Sequence, residues 1–448
     1  MPAAKTPNCS LLTIMAIIGI LGIFALLVLL FLGMNIGFAM LAVGFFGFAI
    51  VRSLSGALGH LMTIPFSTAG SFSLSVIPLF VLMGQFAFYS GLSEDLYKAC
   101  HRWLGRLPGG LAVATIGACG CFASICGSST ATAATMGTVC IPEMRRYRYA
   151  PSLATGCVAA GGTLGILIPP SVGFILYGII AQQSIGTLFA AGMIPGIMLM
   201  VMYMLAVIFK AARNPELGPP GEKFTLAEKF QSIIGIFPML ALFILVIGGM
   251  FRGFFTANEG AAIGAIGAFL FMVFRGKCTW DNFRLSLGST VKTTCMIFLI
   301  MIGTNMFGFF LTISKLPAML ASAVPEMNVS PYVVLILILL IYAALGCVMD
   351  SLAMVLLLAP IFLPVVTGMG MNPIWFGVLM VMIMEAGLIT PPVGMNVFVI
   401  KGVAKDVPLE AIFRGVTPFI AALAVAVGLV IAFPRIALWF PGLLGMVI

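Results

Sequence analysis

Apolar runs of about 20 residues, each long enough for a membrane-crossing helix, follow one another along most of this chain, and the charged residues gather in the short segments between them. The runs predict spans at 11–32, 34–51, 73–91, 150–181, 188–209, 233–251, 256–274, 292–313, 374–400 and 412–433. Two further apolar stretches do not fit a single crossing. The stretch 111–141 is too long for one helix and too short for two spans with a turn, and Gly127, Ser128, Ser129 and Thr130 interrupt it at the middle. The stretch 332–364 has the same broken shape around Gly346 to Ser351. Each reads as a re-entrant helical hairpin that enters the membrane and returns to the same side.

The chain is written twice. Gly84, Gly127 and Ser128–Ser129 recur, at nearly constant spacing, as Gly303, Gly346 and Asp350–Ser351, and the break at Pro169–Pro170 recurs at Pro391–Pro392. This predicts a first repeat at 1–209 (hairpin 111–141, broken span 150–181), a linking segment at 210–232, and a second repeat at 233–448 (hairpin 332–364, broken span 374–400). Each repeat holds five spans and one hairpin, and because five is odd the second copy is expected to be inverted. Charge points the same way. Lys98, Arg102 and Arg106 precede the first hairpin and Arg145, Arg146 and Arg148 follow it, which sets its open end in the cytoplasm, whereas Lys315 is the only Lys or Arg between 314 and 373. Followed through, both termini lie outside, and Lys210–Lys229 and Arg275–Lys292 lie inside. The linker carries Asn214–Pro215 and Gly218–Pro219–Pro220–Gly221, and Trp280–Leu287 reads either as an interfacial amphipathic helix or as a short loop.

Composition excludes a water-soluble protein: 62% of residues are hydrophobic and 8% charged. The expected class is an all-α polytopic membrane protein, surrounded by lipid, and the net charge of +9 is a topology signal rather than a nucleic-acid footprint. Ten cysteines sit mostly inside apolar segments without metal-ligand spacing, as small packing residues do. The first run is longer than a signal-peptide core and has only Lys5 before it, so it reads as a retained span.

Breaking a helix inside a bilayer leaves N–H and C=O groups that protein, water or an ion must satisfy. Matched breaks in a repeat usually surround a transport site. At the tips the second half-helices open on Ser128, Ser129, Thr130 and Thr132 in one copy and on Asp350 and Ser351 in the other. These residues either cap the helices or, with exposed carbonyls, bind Na+ while the helix N-termini favour an anion. Asp350 stands out, because Asp95, Asp281 and Asp406 lie in charged loops and it alone lies in an apolar run. The proline breaks free carbonyls upstream and set Ser171, Thr390 and Asn396 as polar liners, unless they are simple kinks. Glu259 and Glu385 also lie in spans, as hydrogen-bond anchors or as ligands. His60 and His101 sit at loop edges. A serine protease would need a His in a span, an aspartyl protease a second membrane Asp, and direct ATP drive a G-x-x-x-x-G-K-[ST] loop; none is written here, so no enzymatic role is expected.

The run Ile77–Pro78–Leu79–Phe80 with Gly84, then Gly127–Ser128–Ser129, Pro142, Gly165 to Ser171, Leu188–Phe189–Ala190–Ala191–Gly192 with Pro195, and Thr390–Pro391–Pro392–Val393–Gly394 resembles the large membrane subunit of tripartite ATP-independent periplasmic (TRAP) transporters. The resemblance runs from about residue 11 to the end. It implies Na+-driven uptake of a small organic anion, a carboxylate such as a C4-dicarboxylate or sialic acid, across the cytoplasmic membrane of a bacterium or archaeon. A periplasmic substrate-binding protein would deliver it, and no organic cofactor is implied. It also implies a small four-helix membrane subunit, expected as a separate chain because the N-terminal addition of fused members is missing. The family is similar in fold to divalent-anion/Na+ symporters, which work as elevators; a stand-alone symporter of that kind is the alternative. Carried over by position, a first Na+ site falls near Ser128, Ser129, Gly165 and Pro169, a second near Asp350, Ser351, Gly387 and Thr390, with Thr130, Ser171 and Asn396 lining the substrate.

Overall fold

In the computed structural model the described residues are 9–219, 221, 224–319 and 329–446; Lys5 and the linker's Pro220 lie outside them. Among these residues all regular structure is helical, and nine segments are long and apolar enough to cross a membrane. The two stretches that resisted a single crossing are helix–break–helix units, Gly110–Cys126 with Ser129–Arg146, and Pro331–Gly346 with Ser351–Gly368. The two proline-broken runs divide as well: Pro151–Gly162, Leu164–Leu167 and Val172–Ala181 in one, Pro373–Gly387 and Met395–Val403 in the other.

Several helices depart from the sequence reading, the short C-terminal Arg435–Leu443 among them. Leu54–Ala69, with Ser53 accepting a hydrogen bond from the Gly56 N–H (3.2 Å), was not expected, because Gly56, Gly59, His60 and Pro65 dilute its apolar signal. Leu92–Leu104 is an amphipathic helix that buries Leu92, Leu96, Tyr97 and Ala99 on one face. Trp280–Ser314 is one continuous helix of 35 residues rather than a separate interfacial piece and a span. At 1.5 Å per residue it is about 52 Å long, so it outreaches a hydrocarbon core of about 30 Å. His60 and His101 therefore lie within helices, not at loop edges; His60 stacks on Phe309 (4.3 Å) and meets Phe48 edge-on (4.9 Å).

Two compact units organise these helices, and each draws on both halves of the chain. The smaller comprises 1–74, 292–338 and 356–373. Within it the helix Ile36–Val51 crosses Trp280–Ser314 at backbone contact: a Cβ on Gly303 would lie 2.3 Å from the Gly37 carbonyl oxygen, and one on Gly44 would lie 2.6 Å from the Phe307 nitrogen. Small residues are what permit such an approach where lipid offers no hydrophobic drive between helices. Asn305 Nδ2 donates to Thr68 Oγ1 (3.0 Å) in the same unit.

The larger unit comprises 75–291, 339–355 and 374–448, and holds the first hairpin, the tip of the second and both proline breaks. Its helices Leu226–Phe251 and Ala257–Phe274 open with capping boxes, Thr225 with Glu228 and Thr256 with Glu259. Glu259 is thus an exposed cap, its Oε2 accepting from the Thr256 N–H (2.8 Å), and takes no part in the broken region. Asp95 pairs with Arg275, and Arg102 and the Trp103 indole donate to the Glu228 and Lys229 carbonyls (3.1 Å each), fastening the amphipathic helix.

Candidate functional site

The first tip is built by a left-handed glycine and a capping serine. Helix Gly110–Cys126 stops at Gly127 (φ 63°), and Ser128, in extended conformation, accepts from the Ala131 N–H (3.4 Å) to start Ser129–Arg146. Thr130 Oγ1 lies 3.5 Å from Ser128 Oγ. The break at Pro169–Pro170, joined by a cis peptide, comes up against this tip. A Cβ on Gly165 would lie 2.6 Å from the Ser128 carbonyl oxygen, and one on Gly127 would lie 3.0 Å from the Pro170 carbonyl oxygen. Only side-chain-free backbone allows that proximity. Ser171 is used as a cap, accepting from the Phe174 N–H (3.3 Å).

The second tip repeats the arrangement with different side chains. Asp350 Oδ2 accepts from the Leu352 N–H (3.1 Å) where Ser351–Gly368 begins, so the carboxylate does serve as a cap. The break at Pro391–Pro392, again cis, lies against it: a Cβ on Gly387 would be 2.4 Å from the Gly346 carbonyl carbon, and the Gly394 N–H donates to the Cys347 carbonyl (3.2 Å). Thr390 Oγ1 donates back to the Ala386 carbonyl (2.6 Å), keeping its lone pairs free.

The tips meet at one side chain. Ser129 Oγ donates to Glu385 Oε2 (2.6 Å) and Ser351 Oγ donates to Glu385 Oε1 (3.1 Å), with Glu385 wholly buried (0% exposed). Asn396 crosses from the second break to the first site, where its Nδ2 donates to the Ala159 carbonyl (3.3 Å). Gly162 leaves room for it; a Cβ there would lie 3.1 Å from both Asn396 Nδ2 and the Ser129 carbonyl oxygen. Among the described residues Asn396 Oδ1 and Thr132 Oγ1 are buried oxygens without an oxygen or nitrogen hydrogen-bond partner, and Thr132 Oγ1 stands 2.8 Å from where a Gly165 Cβ would be. Thr132 Oγ1 meets the Cys126 thiol, which leaves Asn396 Oδ1 as the buried oxygen at this tip open to a further partner.

The candidate residues Ser128 and Gly165 are therefore in contact, Pro169 belongs to the break beside them, and Gly387 touches the second tip that carries Asp350 and Ser351. Of the two readings the sequence left open for Glu385, anchor or ligand, the structure shows the hydrogen-bond anchor, holding Ser129 and Ser351.

Comparison with known proteins places the chain in a family. The family described as "Tripartite ATP-independent periplasmic transporter, DctM component" matches residues 23–436. A C4-dicarboxylate TRAP transporter large permease protein from Pseudomonas aeruginosa is 36% identical over 408 residues, covering 88% of this chain and 94% of that protein. A sialic acid TRAP transporter large permease protein from Vibrio cholerae is 34% identical over 416 residues, covering 93% and 96%. The crystal structure of the Alcanivorax borkumensis YdaH transporter has the same fold, with TM-score 0.65 at 15% identity over 86% of this chain and 91% of that one. This chain belongs to the DctM-component family, the large permease subunits of TRAP transporters, and is a multi-pass protein of the bacterial inner membrane.

Proposed function

We propose that this permease imports a small organic anion together with Na+, working as an elevator with two partners. One is a small membrane subunit and the other a periplasmic substrate-binding protein. The observation that carries the reading is the gathering of oxygens at the tips: the Ser128 carbonyl against Gly165, the Gly346–Cys347 backbone against Gly387, the hydroxyls of Ser129 and Ser351, and the buried Asn396 Oδ1. Freed carbonyls and hydroxyls at broken membrane helices suit Na+, a hard cation that takes oxygen ligands. In this reading Ser128, Ser129, Gly165 and Pro169 hold one ion, and Asp350, Ser351, Gly387 and Thr390 hold a second. Thr130, Ser171 and Asn396 line the substrate.

An anionic substrate is supported by the starts of Ser129–Arg146 and Ser351–Gly368, whose first N–H groups and positive dipole ends lie in the larger unit. A carboxylate is supported by the relatives, named for C4-dicarboxylate and for sialic acid. The test is reconstitution into proteoliposomes, with a Na+ gradient imposed or withheld and with the small subunit and a loaded binding protein added in turn. Uptake is expected only with Na+ and both partners. Full Na+-driven uptake by the lone chain would instead establish a stand-alone symporter, and full uptake without Na+ would remove the coupling.

A further inference from the structure

Three broken elements, distant in sequence, are joined by one carboxylate. Ser129 is the first residue of the second half-helix of the first hairpin, Ser351 holds the same position in the second, and Glu385 is in the last turn of the helix that ends at Gly387. Both serines are 1% exposed and Glu385 is 0% exposed, so water does not compete for these bonds. The two oxygens are used separately, Oε2 for Ser129 at 2.6 Å and Oε1 for Ser351 at 3.1 Å. Neither capping nor packing requires this, because Ser128 and Asp350 cap the two half-helices and neither serine is needed for it.

We propose that Glu385 is a positioning residue that ties the two hairpin tips at a fixed spacing and turns both serine hydroxyls, so that the tips are organised together rather than one at a time. A hydroxyl that gives its proton to a carboxylate directs its lone pairs elsewhere, and a partner behind a ligand commonly sets that ligand's orientation. The role depends on reach, not on charge. Glutamine has the same length, and its amide can accept from one serine while donating to the other's oxygen. Aspartate keeps the charge but is one methylene shorter, about 1.5 Å, and cannot span both hydroxyls. The effect on ion binding rests on the Na+ reading above; the tie itself does not.

The experiment is therefore divided. In a cysteine-free background, spin labels at Thr138→Cys and Val348→Cys, both exposed positions in the larger unit, report the spacing of the two hairpins by pulsed electron paramagnetic resonance in nanodiscs. A narrow distance distribution is expected with Glu385 and with Glu385→Gln, and a broadened one with Glu385→Asp and Glu385→Ala. In the reconstituted three-part system the steepness of the Na+ dependence is expected to be kept by Glu385→Gln and lost by Glu385→Asp. Should Glu385→Ala fail to fold, the Asp and Gln pair decides alone. An unchanged distribution in Glu385→Asp, or a ranking in which Asp behaves as wild type and Gln fails, would overturn the proposal in favour of a role for the charge. If uptake ignores Na+ while the distributions behave as stated, the coupling reading fails and the tie stands.

Discussion

Gly387 approaches Gly346 so closely that a Cβ on the former would lie 2.4 Å from the carbonyl carbon of the latter. The atom in the way is backbone, which cannot swing aside as a long side chain would. Gly387→Ala is expected to force the second tip and the proline break apart, lowering stability by roughly 1–3 kcal/mol. Gly165→Ala is expected to do the same at the first tip, against the Ser128 carbonyl. Gly402, near the end of a helix and with nothing within 4 Å of its Cβ position, is the control, and Gly402→Ala should stay within about 1 kcal/mol of wild type. Thermal unfolding in detergent, read by intrinsic fluorescence, ranks the three.

Asp350→Ala is expected to reduce uptake and raise the Na+ concentration needed for half-maximal rate, whereas Asp406→Ala should leave both nearly unchanged. The reason is place: Asp350 caps a half-helix at the tip, while Asp406 is on an exposed loop paired with Arg145. Initial rates over a range of Na+ concentrations make the comparison. Equal, mild effects would take Asp350 out of the ion site.

The Arg145–Asp406 pair, at 2.6 Å, should show its own pH signature. The Arg145 hydrogen bond holds the Asp406 carboxyl below its ordinary value of 3.8. A depressed folded-state value means that the pair's contribution is complete above the ordinary carboxylate pKa and disappears as pH falls through the lower, folded one. Melting temperatures of wild type and Asp406→Asn are therefore expected to differ slightly at neutral pH and to converge in acid. Both groups are largely exposed, so 1 M salt should shrink the neutral-pH difference too.

Single cysteines in place of Arg146 and Asn372 are expected to react with an impermeant thiol reagent from opposite faces of the membrane. The first follows one hairpin and the second follows the other, in copies read as inverted. Inside-out and right-side-out vesicles give the two measurements. Labelling of both positions from one face would refute the inversion.

The breaks were legible in the chain because Gly127, Gly346, Pro169–Pro170 and Pro391–Pro392 punctuate apolar runs in matched order. The meeting at Glu385 was not legible. Its bond to Ser129 joins residues 256 apart, and a contact between distant residues leaves no periodicity behind. The close approach of Gly387 to Gly346 was hidden for the same reason. Trp280–Ser314 was divided in the sequence reading because Asp281, Arg284 and Lys292 interrupt hydropathy, yet charged residues do not interrupt a helix. Leu54–Ala69 shows the converse, a helix whose glycines, histidine and proline mask it from a search for apolar length.

The crossing of Gly37 and Gly44 with Gly303 and Phe307 has a consequence for handling the protein. Association in lipid gains nothing from hiding oil from oil, so this junction is held by contact dispersion and by the absence of anything between the two backbones. A detergent molecule has no gap to enter there, and exchanging one surfactant for another changes none of the atoms that touch. When the purified protein is stripped of its native membrane, the glycine crossing should be among the last junctions to part.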